Sequence, residues 1–419
     1  MKVHEMLTKL GFKSLSPIQE KIIENFDKTN NIVGLAPTGT GKTHAYLLPL
    51  LERINRASEY TQAVILLPTN ELVLQVDKML SETDHTIIYK SYYGSIDMEK
   101  EANKLKKSQP SLVITTPAKL IDMVITRNAL SLKEIKYFIL DEADMMFDED
   151  FMSLIDPVLA TFNVEKFLLM SATLTKSMEP FIKKYFGSYT LFDTTKDTVL
   201  NITFPLIQTN GNRLVTLARV LDVINPYLGI IFVSKNEDIN QVFNYVLDRG
   251  FKAVAFSSEI GVKQRKKILE DIHDLKYQYV VSSDLLSRGI DFKASHIIHF
   301  DLPYKLEFFK HRSGRTGRMG DEGMVITLVD ELDQRKIDKL RGQGVPFEQA
   351  QLTKDEIKII QKKERKYDKQ IANAIKKVPK PKKVAPNYKK KHEKEVRQAI
   401  QKVKKARYRN ASFRKSRSA

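Results

Sequence analysis

The sequence predicts an α/β protein: two tandem domains, each a doubly wound parallel sheet, followed by a basic C-terminal tail. Three observations predict it. Short apolar runs recur along the chain, most ending in a polar cluster, which is the rhythm of parallel strands buried on both faces. The rhythm restarts after residue 204, and 419 residues suffice for two such domains with a remainder. Charge is also unevenly spread: residues 353–419 hold 25 Lys+Arg against 6 Asp+Glu, which leaves 44 against 45 in residues 1–352.

The first strand is Asn31-Ile32-Val33-Gly34-Leu35, and Ala36-Pro37-Thr38-Gly39-Thr40-Gly41-Lys42-Thr43 follows it before a helix from Thr43 to Glu52. Gly39 and Gly41 let the backbone turn so that several N–H groups face one anion. Lys42 adds a point charge toward β- and γ-phosphates, and the Thr43 hydroxyl can sit on Mg²⁺. The helix N-terminus favours the same anion. Ala36 stands where the usual phosphate-loop pattern begins with glycine. Asp141-Glu142-Ala143-Asp144 directly follows the apolar run Tyr137–Leu140. Its carboxylates therefore sit at the C-terminal edge of a sheet, where open α/β folds bind ligands. Asp141 is placed to hold Mg²⁺ through water, and Glu142 to orient and deprotonate an attacking water. Ser171-Ala172-Thr173 follows another strand, Lys166–Met170, and is by itself a polar strand end. His311-Arg312-Ser313-Gly314-Arg315-Thr316-Gly317-Arg318 offers arginines that reach a γ-phosphate from elsewhere in the fold. In this order the four clusters read as an NTP-driven enzyme.

On these motifs the chain resembles the DEAD-box ATP-dependent RNA helicases over roughly residues 1–345. The resemblance implies two RecA-like domains, ATP and Mg²⁺ as cofactors, and RNA, single-stranded or as a short duplex, as the partner. Phe12 and Gln19 match the family's nucleotide-reading element, where the glutamine amide pairs with adenine N6 and N7 and the aromatic stacks on the base. Pro37, Thr38 and Thr40 complete the phosphate loop. Asp144, Ser171, Thr173 and His311 match the network that couples hydrolysis to strand separation. Arg315 and Arg318 match the arginine fingers, and Asp291 the acceptor for ribose hydroxyls. Pro68, Thr69, Gly94, Thr116, Pro117, Arg265, Ser283, Arg288 and Gly289 match the RNA track. Departures concentrate there: Asn70 stands where the family has arginine, Tyr93 precedes Gly94 where two glycines are common, and Ser257-Ser258 occupy the usual His-Gly places. The ATP parts are nearly intact, so the grip on RNA is expected to lean on the tail.

Domains are expected over residues 1–195 and 204–350, with a linker at 196–203 and the tail at 351–419. The second domain's strands are expected at Gly229–Val233, Lys252–Phe256, Gln278–Val281, His296–Phe300 and Met324–Val329. Thr353-Lys354-Asp355-Glu356 reads as a capping box opening a helix with Ile357, Ile360 and Ile371 at apolar positions. Tyr388, Tyr408 and Phe413 interleave with the tail's Lys and Arg, which suits stacking on single-stranded bases. Cysteine is absent, excluding disulfides and thiolate sites. No run has signal-peptide or membrane-spanning length, so a cytoplasmic protein without a membrane partner, and a monomer, is expected. Two functions fit: a helicase that parts short RNA duplexes, or an ATP-switched clamp or annealing factor. Ribosome assembly and RNA turnover in the cold, with ribosomal particles or decay machinery as partners, are what the resemblance implies.

Overall fold

A computed structural model of the chain describes residues 1–94, 96–147, 150–197, 201–209, 211–287, 293–317, 322–360 and 398. Arg288, Gly289, Asp291 and Arg318 lie outside the described residues, as do the tail's Ile371, Tyr388, Tyr408 and Phe413. The chain divides into a compact unit Met1–Lys358 and a separate unit Ile359–Ala419.

The larger unit is built on two sheets. Among the described residues the first has seven strands: β1 (Asn31–Leu35), β2 (Ala63–Leu66), β3 (Tyr89–Tyr92), β4 (Leu112–Thr115), β5 (Tyr137–Leu140), β6 (Lys166–Ser171) and β7 (Tyr189–Asp193). Their order is β3-β4-β2-β5-β6-β1-β7, and every pair is parallel. Successive side chains point to opposite faces, and helices cover both. Val33, Val64, Val113, Phe138 and Leu169 pack into one core layer. Ile32, Ile65, Ile114, Ile139 and Leu168 pack into the other. Each such side chain contributes about 1.5–3 kcal/mol by leaving water, which is why β-branched and aliphatic residues fill these runs without polar alternation.

The second sheet comprises β8 (Ile202–Thr203), β9 (Pro205–Gln208), β10 (Gly229–Phe232), β11 (Ala253–Phe256), β12 (Tyr279–Ser282), β13 (His296–His299), β14 (Gly323–Val329), β15 (Glu348–Leu352) and β16 (Ile357–Ile359). The order is β11-β12-β10-β13-β14-β9-β15-β16, with β8 beside β14. Ile230, Phe232, Val280, Ile297 and Val325 fill one face, and Ile231, Val281, Ile298 and Ile326 the other.

Two sequence expectations are corrected. The linker is not irregular to its end, because Ile202 and Thr203 pair with Gly323 and Met324. Just before the linker, the Thr194 N–H donates to Leu35 O at 2.8 Å. The sheet also runs past residue 350, and the expected helix after Thr353 is instead a turn into β16. There the Thr353 hydroxyl accepts from the Glu356 N–H at 3.1 Å and donates to Glu356 O at 2.9 Å. A threonine side chain closes turns and caps helices by the same bonds, so the local signal did not separate the two. The partner strand decides it: β15 docks along β9 from Glu348 to Ala350.

Arg213 fastens this sheet. It donates to Phe300 O at 2.9 Å, Leu328 O at 2.7 Å, Asp330 at 2.7 Å and Asp333 at 2.6 Å. Replacing it with methionine keeps the stem but orphans two carbonyls and two carboxylates. Arg213→Met is expected to lower stability by about 2–4 kcal/mol, read from urea unfolding followed by circular dichroism.

Candidate active site and domain interface

Parallel pairing brings the phosphate loop and acidic cluster together. β5, β6 and β1 are consecutive in the sheet, with Leu140 opposite Leu169 and Leu35 opposite Ser171. The segments that follow them therefore emerge side by side at one edge. The Ala36 N–H donates to Ser171 O at 3.1 Å, and the Asp141 N–H to Leu66 O at 3.0 Å.

The loop turns through Gly39 at φ 84° and Gly41 at φ 81°, a left-handed backbone that glycine adopts without steric cost. Lys42 is buried beneath it. Its ammonium donates to Ala36 O at 3.1 Å and Pro37 O at 3.4 Å, and lies 3.6 Å from Glu142 Oε1. The Thr40 hydroxyl donates to Pro37 O at 2.8 Å. Thr43 and Tyr46 hydroxyls both donate to Asp141 Oδ2 at 2.9 Å. Tyr46 went unpredicted, although a residue one turn beyond Thr43 shares its helix face.

Burial first, and the neighbouring Glu142 charge second, push the Asp141 carboxyl up to about 6. For Glu142, burial would raise the value, but Lys42, His311 and Arg315 together hold it below its ordinary range. The pair is thus split, with Glu142 the more firmly ionised. Glu142 has a left-handed backbone, φ 52° and ψ 47°, which is uncommon outside glycine and concentrates at functional sites. Its Oε2 is buried with no hydrogen-bond partner among the described residues.

Phe12 packs edge-on against His44, with ring centroids 5.2 Å apart. Gln19 is buried, its carbonyl accepting from the Ser16 N–H at 2.9 Å and its amide donating to Gly41 O at 3.3 Å. The element expected to read adenine is therefore also bonded to the phosphate loop itself.

The second domain reaches the same edge. Thr173 donates to Asp144 Oδ2 through its N–H at 3.1 Å and its hydroxyl at 2.9 Å, while the Asp144 N–H donates to Ser171 Oγ at 3.2 Å. His311 Nε2 lies 3.7 Å from that same Oδ2, and its Nδ1 lies 3.5 Å from the Thr38 hydroxyl. A Cβ on Gly314 would come within 2.9 Å of Thr38 Cβ, so only glycine allows this approach. Arg315 is buried, with Nε donating to His311 O at 3.3 Å. Arg312, which drew no separate reading from the sequence, is fully buried; it donates to Asp284 at 2.6 Å, Asp301 O at 3.2 Å and Ser234 Oγ at 3.3 Å.

The residues expected along RNA occupy the other half of the first sheet's edge. Pro68-Thr69 follow β2, Gly94 follows β3, and Thr116-Pro117 follow β4. Thr69 caps the helix Asn70–Thr83, accepting from the Leu72 N–H. Asn70 Oδ1 accepts from the Gly94 N–H at 2.8 Å, so the residue that departs from the family pattern ties two of these segments together. Ser283 follows β12 on the second sheet. Arg265, expected along the RNA track, also makes a contact across the domains. It is buried and paired with Glu71 at 3.1 Å across the two domains, and also donates to Ser258 O at 3.4 Å. A guanidinium so placed already has a carboxylate partner, and no local signal in the sequence joins residues so far apart.

Comparison with known proteins agrees with this arrangement. Residues 16–181 match the DEAD/DEAH box helicase model, and residues 213–320 the helicase conserved C-terminal domain. The DEAD-box ATP-dependent RNA helicase CshB of Bacillus subtilis is 35% identical over 397 residues, covering 91% of this chain and 90% of that protein. CshB of Staphylococcus aureus is 34% identical over 83% of this chain and 79% of its own. Among solved structures, S. cerevisiae Dbp5 bound to RNA and ADP BeF3 superposes with a TM-score of 0.72 at 22% identity, covering 83% and 92% of the two chains. A DEAD box protein from the hyperthermophile Methanococcus jannaschii gives 0.54 at 29% identity, covering 84% and 96%. The chain belongs to the DEAD-box ATP-dependent RNA helicases, which are ATP hydrolases.

If Arg265 serves to join the domains, Glu71→Ala is expected to reproduce Arg265→Ala. Both should slow RNA-stimulated ATP hydrolysis, and the double variant should be little worse than either, with a coupling of about 0.5–3 kcal/mol. If the arginine instead holds RNA, Glu71→Ala will leave RNA affinity unchanged while Arg265→Ala lowers it.

Proposed function

We propose that this protein hydrolyses ATP with Mg²⁺ to part or remodel short RNA duplexes, with the phosphate loop and acidic cluster as its catalytic centre. One observation carries the assignment: Glu142 has a left-handed backbone and a buried Oε2 without a partner, and Lys42 lies 3.6 Å from its Oε1. An orphaned buried carboxylate oxygen is costly, and a water held for attack on a phosphate would satisfy it.

The residues fit a magnesium triphosphate. Among the described residues no cluster of three or more His, Asp or Glu could hold a metal alone, and Mg²⁺ usually takes one or two protein oxygens together with phosphates and water. Thr43 and Asp141, already bonded to each other, are the donors proposed for it. When bound, the ion neutralises charge on the phosphoryl oxygens. Lys42 and the N–H groups of residues 38–43 hold the β- and γ-phosphates. Glu142 takes the proton of the attacking water. Arg315, reaching in from the second domain, and Arg318 stabilise charge on the transferring group. Phe12 and Gln19 are the proposed adenine contacts, and Asp291 the ribose contact.

The same reading makes Asp144, Ser171, Thr173 and His311 the relay between hydrolysis and the RNA edge. Pro68, Thr69, Gly94, Thr116, Pro117, Arg265, Ser283, Arg288 and Gly289 are the proposed track, with Arg265 also paired to Glu71. The proposed setting is the cytoplasm, in ribosome assembly or RNA turnover, with the protein acting as a monomer. Among the described residues no helix is long and apolar enough to cross a membrane.

Glu142→Gln is nearly isosteric but cannot accept a proton. It is expected to bind ATP normally and to lose at least about 10²-fold in kcat; an unchanged kcat would sink the assignment. A chain ending at residue 360, beyond β16, should keep basal ATPase. It should also bind RNA more weakly, with a shallower salt dependence, by about 0.7 in log–log slope for each phosphate that the tail no longer neutralises. Equal slopes for the two chains would show that the basic tail does not touch RNA.

A further inference from the structure

We propose that Tyr304, flanked by Lys235, Lys305 and Lys336, is a stacking platform that holds one further base of single-stranded RNA beyond the track on the second domain. The proposal rests on the RNA reading given above.

Topology sets the location. β11, β12, β10 and β13 are neighbours in that order, and all their pairings are parallel. Their following segments therefore lie in a row along one edge: Ser257-Ser258, then Ser283, then Ser234-Lys235-Asn236, then Asp301 to Lys305. Adjacent strands are about 4.8 Å apart, so the Tyr304 segment stands two strands, about 10 Å, beyond that of Ser283. It continues the proposed track in the same direction.

The segment is held in place while its ring is exposed. The Ser234 N–H donates to Asp301 Oδ1 at 2.7 Å, and its hydroxyl to Leu302 O at 3.1 Å. The Asn236 amide donates to Ser258 Oγ at 3.3 Å, joining the row to the segment after β11. The Lys336 ammonium donates to Leu302 O and Pro303 O, each at 3.2 Å, and sits 5.7 Å from the centroid of the Tyr304 ring. Tyr304 itself is 66% exposed. Lys235 lies close to the phenol, whose proximity is the first cause raising that ammonium's pKa, and pairs with the exposed Glu237 at 3.5 Å, a partner that a phosphate would have to replace; Lys305 is exposed beside Tyr304 in sequence.

An isolated exposed aromatic is ordinary. One on a backbone fixed by this many bonds, among three lysines, offers a preordered π-face for a base and cations for the adjoining phosphates. Its sequence tolerance follows, because every base has a π-face.

The test uses the full chain with a non-hydrolysable ATP analogue and two oligouridylates, one of about 6 nucleotides and one of about 20, bracketing the usual size of a single-strand site. Tyr304→Ala is expected to weaken the longer RNA by about 5- to 100-fold, the range of one missing base stack, and to leave the shorter unchanged. Tyr304→Phe, which keeps the face, should bind the longer RNA as the wild type does. Lys235→Ala should flatten the salt slope by about 0.7. Thermal unfolding midpoints check that each variant is folded. Wild-type affinity of Tyr304→Ala for the longer RNA overturns the proposal and gives the patch to another partner. A loss in Tyr304→Phe as large as in the alanine variant overturns stacking. A wild type that binds neither RNA overturns the RNA reading itself.

Discussion

One carboxylate oxygen, Asp144 Oδ2, joins the first sheet's edge to the second domain. Thr173 donates to it twice, and His311 approaches it from across the interface. The same histidine lies beside Thr38 in the phosphate loop. A shift of His311 is therefore felt at the acidic cluster and the loop together. Behind it, Arg312 is bonded to the segments after β10, β12 and β13, the row that faces outward along the second sheet. The interface thus ties the acidic cluster, the phosphate loop and that row of segments into one connected set of contacts.

The acidic cluster achieves its chemistry by placing unlike partners around like groups. Asp141 and Glu142 are consecutive and both buried, and two carboxylates so close resist ionising together. Hydroxyls surround the first and cations the second. The two carboxylates thereby stand in unlike electrostatic surroundings although they are neighbours in the chain. The left-handed backbone at Glu142 carries a cost of order 1–3 kcal/mol that the surrounding core must offset.

Much of this was legible in the sequence, for a definable reason. Parallel strands buried on both faces announce themselves as apolar runs, and the residue after each run is placed by the sheet rather than by distant contacts. Lys42 and Asp141 were read that way, whereas Ser171 was by itself a polar strand end and His311, in the helix Glu307–Ser313, was read only through the family resemblance. What escaped depends on pairs far apart in the chain. Arg265 was read through the resemblance as an RNA-track residue, with no sign of its pairing to Glu71, and Asn70 looked like a mere departure until its oxygen was found on the Gly94 amide. β8, β15 and β16 escaped because their residues are as polar as a linker, and only pairing along an existing sheet makes them strands. Gln19 read as a ligand contact also serves the helix start and the loop, a dual use that no single motif expresses.

The close approach of Gly314 to Thr38 sets the mechanical tolerance of the joint. With 2.9 Å between Thr38 Cβ and the point where a Gly314 side chain would begin, the two domains meet with less clearance than one methyl group. Packed interfaces are bistable rather than continuously deformable. Any side chain at residue 314 would therefore press the second domain away from the phosphate loop, so the seat of one domain on the other is set here by a missing side chain.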